Sequence, residues 1–302
     1  MLKIQSCAAV VLFSLGWSCG EAPFAMSGEN DDAGAAGAAG EPGDAGDAAV
    51  LPEASEKDSE SPPMVHIHIR ATAVAFPHAD SLSSQTPIDQ GIGILALELR
   101  RDAQDPEPLI VFDQGNAFVQ AGLNDGDDTL VASVPASSLR AGVYEHARVR
   151  VSHVSYRVRG TMHAYGSVVA GEFDNVQVLT SGVSIGGEPR DSGWYRFSFE
   201  VGGQSYGTRE GAGGPLPEGL ASGGIGLEIV GGQAAYVFAT HVVVDPDVAF
   251  DTNMVFEVNM RESFRWQDLA EPAYELGTFD TTPLSFEPVK RFGANSFSVF
   301  TE

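Results

Sequence analysis

The sequence predicts an all-β fold, an antiparallel β-sandwich, and two observations carry that expectation. After residue 63, apolar side chains recur with period two along most of the chain, the repeat of a strand with one buried face. Gly and Pro, 35 and 17 of the 302 residues, interrupt these runs at short intervals and leave little room for the helices of an alternating α/β chain.

The N-terminal stretch MLKIQSCAAVVLFSLGWSCG has a single cation, Lys3, followed by an apolar run from Ala8 to about Trp17. That run falls short of the ~20 residues needed to span a bilayer and suits the h-region of a signal peptide, assigned to residues 1–18. No later segment is long and apolar enough to span, so the sequence predicts an exported chain. The run ends in LGWSC, which resembles the lipobox of bacterial lipoproteins, with Leu15 one place further from the cysteine than in that family. The resemblance implies that Cys19 is lipidated, becomes the mature N-terminus, and attaches the protein to the membrane. The only other cysteine, Cys7, would leave with the signal, so the mature chain could form no intrachain disulfide.

Residues 19–63 read as a disordered acidic tether. Beyond Cys19 they are Gly, Ala, Asp, Glu, Ser and Pro with few large apolar side chains, too little to offset chain entropy by burial. Eleven carboxylates stand against one cation, Lys57. A flexible coil of this length has an end-to-end distance of about 35–40 Å, and more when it repels itself. The composition resembles the Ala/Gly/Asp-rich tethers of Gram-negative lipoproteins, which implies an outer-membrane or cell-surface location.

Residues 64–302 are the expected sandwich, as one large or two small units, and carry 30 acidic against 15 basic residues. With the chain at −24 overall, nucleic acid is not an expected partner; a protein or glycan ligand is. The first strand, VHIHIRATA, alternates Val65, Ile67, Ile69 and Ala71 against His66, His68, Arg70 and Thr72. WYRFSFEV and MVFEVNM alternate in the same way, and GILALEL, LIVFD, TLVASV, NVQVLT, GLEIV and YVFATHVVV read as further strands. In YEHARVRVSHVSYRVRG the phase slips between Val151 and Val154, which predicts a β-bulge near Ser152–His153. The stretch RESFRWQDL invites a short helix, and the Gly-rich segment 202–224 reads as a mobile loop. SLRAGVYEHARVRV, with Tyr144 at a strand start, resembles the tyrosine corner of Greek-key sandwiches, which implies Greek-key topology and a tyrosine hydroxyl bonded to upstream backbone.

Four patterns nominate chemistry. His66 and His68, at i and i+2, could converge on one metal ion, but a zinc site needs three or four ligands and Arg70 continues the same face, so both are read as the polar face of a strand. GVSIG (182–186) matches G-x-S-x-G around Ser184, with Asp191 and His241 as its only partners in chain order. The Gly and Pro that follow forbid the helix which that motif requires, so a Gly-rich hairpin is expected instead. NDGDD (124–128) offers Asp125, Asp127 and Asp128 to calcium but places Leu130 where an EF-hand needs Gly, and Asp125-Gly126 is expected to turn a hairpin. GIGILA (91–96) fits a loose dinucleotide fingerprint without its helix. Trp194 and Trp266 could stack on sugars or fill the core. No catalytic residue, metal site or cofactor is assigned. The reading is a non-enzymatic envelope lipoprotein with a binding or structural sandwich; the alternative is an extracytoplasmic metal-dependent enzyme or serine hydrolase.

Overall fold

A computed structural model describes residues 61–214, 225–283 and 285–302. The expected signal peptide, Cys19 and the tether as far as residue 60 lie outside the described residues. Among the described residues nineteen strands follow in order, beginning with β1 (Met64–Thr72), β2 (Ser83–Gln85), β3 (Asp89–Arg100), β4 (Leu109–Asp113), β5 (Val119–Gly122) and β6 (Asp128–Pro135). Next come β7 (Gly142–Ala164), β8 (Ser167–Val178), β9 (Val183–Ile185), β10 (Glu188–Arg190), β11 (Tyr195–Val201), β12 (Gln204–Gly211) and β13 (Ile225–Val230). The chain closes with β14 (Gln233–Val244), β15 (Thr252–Asn259), β16 (Phe264–Trp266), β17 (Asp280–Thr281), β18 (Val289–Arg291) and β19 (Ser296–Thr301).

The fold is an all-β sandwich. A four-stranded sheet, β19-β15-β1-β6, packs on a ten-stranded sheet built around the 23-residue β7. Period two explains the first sheet: Val65, Ile67, Ile69 and Ala71 of β1 are all buried, while the intervening side chains are half-buried. Two pairs depart from the antiparallel expectation: the short β17 runs parallel to β7, and β1 and β15 run parallel to each other, with Ile67 beside Met254 and Ile69 beside Phe256. Their inward side chains meet β3, β7 and β14 across the interface, where Phe238 stacks on Phe297 at 4.9 Å. Ser61–Glu302 is one compact unit.

Strand β7 is long because its edges are shared. One edge pairs with β14 along its first half and with β8 along its second, while the other pairs with β3. The expected bulge lies where the partners change hands: Ile92 pairs with Val154 but Ile94 with Val151, so Ser152 and His153 together oppose the single Gly93. Thr180 closes the seam, its hydroxyl donating to Val151 O at 2.6 Å and accepting from Ala234 N–H at 2.9 Å. Gly93 sits opposite the bulge. A Cβ there would collide with Ser152 Oγ and lie 2.8 Å from the His153 ring, so this glycine of GIGILA serves strand packing within β3.

Three local expectations are corrected. RESFRWQDL forms no helix: Phe264, Arg265 and Trp266 are a fully buried strand between β2 and β18. Of the expected Gly-rich loop, residues 204–211 are the edge strand β12 paired with β11, and 215–224 lie outside the described residues. The Asp125-Gly126 turn exists, with Gly126 at φ +87°, but it joins β5 of the large sheet to β6 of the small one. It is therefore an arch between sheets and not a hairpin.

Beyond the four-stranded sheet, the second half of β7 and β8 is covered by an aromatic layer. Tyr156 contacts Phe264 and Phe292, and Phe279 packs edge-on against Phe173, Phe264 and Trp266. Residues 267–282 run over this layer and reach β7 through β17.

Candidate functional site

The outer face of the four-stranded sheet gathers the histidines that the sequence nominated. His66 Nδ1 lies 2.8 Å from Ser133 Oγ, and its Nε2 lies 3.6 Å from Asp251 Oδ2. His68 Nδ1 is 2.6 Å from Asp128 Oδ1, so that nitrogen carries the proton. Arg70 donates Nε to Asp128 Oδ2 at 2.9 Å and Nη2 to Glu302 Oε1 at 2.7 Å. Burial alone would raise the Asp128 carboxyl, but hydrogen bonds from His68 and Arg70 hold it below the ordinary carboxylate value. Glu302 is likewise lowered by Arg70. The arrangement is a chain of charge pairs along the strand. Among the described residues, no group of three or more His, Cys, Asp or Glu is placed to hold a metal ion.

The acidic loop disperses its carboxylates. Asp125 accepts from Ala73 N–H and Asp127 from Asn124 N–H, both at 2.8 Å, while Asp128 turns to the β1 pairs just described. Each stabilises an arch or a strand, and none points at a common centre.

Ser184 lies on the exposed side of the β9–β10 hairpin, opposite Pro189. Gly186 and Gly187 both have positive φ, +63° and +84°, the two-residue turn of a tight hairpin. Of its nominal partners, His241 pairs with Glu145 at 3.0 Å and Asp191 accepts Trp194 N–H through its backbone carbonyl. This segment is the Gly-rich hairpin that the following Gly and Pro predicted.

The tryptophans are not open platforms. Trp266 is buried in the aromatic layer, and the Arg190 guanidinium covers Trp194 at 4.5 Å from its ring centroid. Between the sheets, two apolar cavities leave about 10 Å³ each, room for roughly one water centre and nothing larger.

Sequence reasoning missed a buried acidic cluster beyond the aromatic layer. Asp280 and Glu287 are each 1% exposed. His163 Nε2 donates to Asp280 Oδ1 at 2.6 Å, with Tyr274 against the imidazole at 5.0 Å between centroids. Glu287 accepts from Leu269 N–H at 2.7 Å and from Asp280 N–H at 2.9 Å. His163 and Asp280 stand 117 positions apart, and each is an unremarkable single residue in its own stretch, so no local signal announced them.

No family model, curated protein or solved structure matches the chain.

Proposed function

We propose that this chain is an exported lipoprotein of the cell envelope, anchored through Cys19 at the outer membrane or cell surface. Its sandwich binds a protein or glycan at its outer surface, or supports such a contact structurally, without catalysis. The observation that carries this reading is the close packing between the sheets: among the described residues the two inter-sheet cavities hold about 10 Å³ each, too little for a substrate, and the proposed contact is therefore placed on the outer faces. Supporting it, the residues nominated for chemistry are engaged in hairpins, arches and charge pairs. The serine-hydrolase and metal-enzyme alternatives gain no convergent set of polar groups from this arrangement. No described helix is long and apolar enough to cross a membrane.

Cell fractionation of wild type and Cys19→Ala tests the proposal. The wild-type chain should sediment with membranes and the variant should appear in the soluble fraction, with the body equally resistant to protease in both. Equal partition of the two forms would contradict lipid anchoring.

A further inference from the structure

We infer that residues 267–282 form a strap over the aromatic layer, and that a proton on Glu287 tightens the strap while its loss loosens it. Glu287 is the clasp. Its two carboxyl oxygens accept from Leu269 N–H and Asp280 N–H, near the two ends of the strap, while its own N–H donates to Asp280 O at 3.1 Å. Gln267 N–H adds a bond to Pro288 O at 3.0 Å, and Phe279 inserts its ring among Phe173, Phe264 and Trp266. Leu276 on the strap is 85% exposed, so this segment covers the layer without being covered itself.

The charges around the clasp are of one sign. Asp268 and Asp280 both oppose ionisation of Glu287. Asp268 accepts from Gly277 N–H at 3.0 Å and from the Ser83 hydroxyl. Asp280 accepts from His163 and from Glu275 N–H at 2.8 Å. Glu271, Tyr274 and Glu275 complete the titratable groups on the strap side, and the burial-raised Tyr274 phenol adds no positive charge. On the neighbouring strands, Arg265 and Arg291 are both turned to Asp80. Among the described residues no cation forms an ion pair with Glu287, and His163 reaches the cluster only through Asp280.

Burial first, then the two neighbouring carboxylates, push Glu287 above the ordinary carboxylate value despite its two backbone donors. A carboxyl raised in the folded state contributes stability that is complete below its unfolded value of roughly 4.3, and loses it as pH rises through the raised value. Both donors to Glu287 belong to the strap. The penalty of ionisation therefore falls on the strap, which opens at lower free energy than the sheets beneath it.

Hydrogen exchange on the full chain tests this, with protection of amides in 267–282 normalised to those of β15. Between pH 5 and pH 8 the relative protection should fall, by up to about tenfold for each unit that Glu287 stands above its ordinary value. Glu287→Gln, which cannot ionise, should give a flat profile. Asp268→Asn, which removes one opposing charge, should raise protection at pH 8 above wild type, and provides the comparison if the Gln variant fails to fold. A flat wild-type profile, an equal fall in Glu287→Gln, or no gain in Asp268→Asn would each overturn the inference.

Discussion

Tyr144 donates its phenolic hydroxyl to the backbone carbonyl of Arg140 at 2.8 Å, four residues upstream, at the start of β7. The ring is fully buried, so the bond fixes the corner where the chain enters the longest strand of the sheet. Tyr144→Phe keeps the ring and leaves the carbonyl without its partner. We expect a loss of about 1–2 kcal/mol in urea unfolding with an unchanged m value. A loss within error of zero would show that the corner is decorative.

Gly93 faces the bulge at Ser152–His153 with no room for a methyl group. Gly93→Ala should destabilise the fold by about 1–3 kcal/mol, as overpacking of an ordered interior does. Gly115→Ala is the control for strain without collision, because Gly115 has φ +63° and nothing within reach of a Cβ. If Gly93→Ala loses no more than Gly115→Ala, the close approach of β3 to the bulge is wrong.

His153 lies buried in that bulge, its Nδ1 2.8 Å from Ser152 Oγ and its ring edge-on to Phe118 at 4.7 Å. Burial lowers its pKa to about 4 from the ordinary 6.5. For a base lowered in this way, the unfolded chain binds the extra proton between those values. Stability is therefore complete above pH 6.5 and falls as the medium is acidified towards pH 4, by about 3 kcal/mol at 1.36 kcal/mol per unit. The slope should disappear in His153→Gln, measured as the difference between the two proteins at pH 4.5 and pH 7.5. Parallel pH profiles for wild type and variant would rule this out.

The charge chain on β1 predicts indifference to metal. Zinc at a hundredfold excess over the Kd of a micromolar site would add about 2.7 kcal/mol. We expect no rise in the unfolding midpoint with zinc, and a loss below about 1 kcal/mol for His68→Ala, since its partly exposed bond to Asp128 is worth little more. A zinc-dependent rise that His68→Ala removes would put a metal site on this strand.

Much of this fold was readable because one-sided burial leaves a period in the sequence. Strand β1 has it, and so does the phase slip in β7, since one extra residue must turn every later side chain to the other face. Strand β16 was unreadable for the opposite reason. Phe264, Arg265 and Trp266 are buried on both faces, so no alternation exists to separate strand from helix. Turn chemistry was equally local: Gly186-Gly187 declared a hairpin and Gly126 a reversal. Which strand lies beyond a turn is a long-range choice, and β5 and β6 chose different sheets. The His163, Asp280 and Glu287 cluster assembles only after β17 joins β7, so its chemistry belongs to the tertiary structure alone.

Mass spectrometry of the mature N-terminal peptide decides whether a lipid on Cys19 holds this protein in the envelope. Lipid anchoring requires a chain that begins at Cys19 and carries diacylglycerol on its thiol, with residues 1–18 absent. A mature chain that begins at another residue, or a Cys19 peptide of unmodified mass, would contradict it.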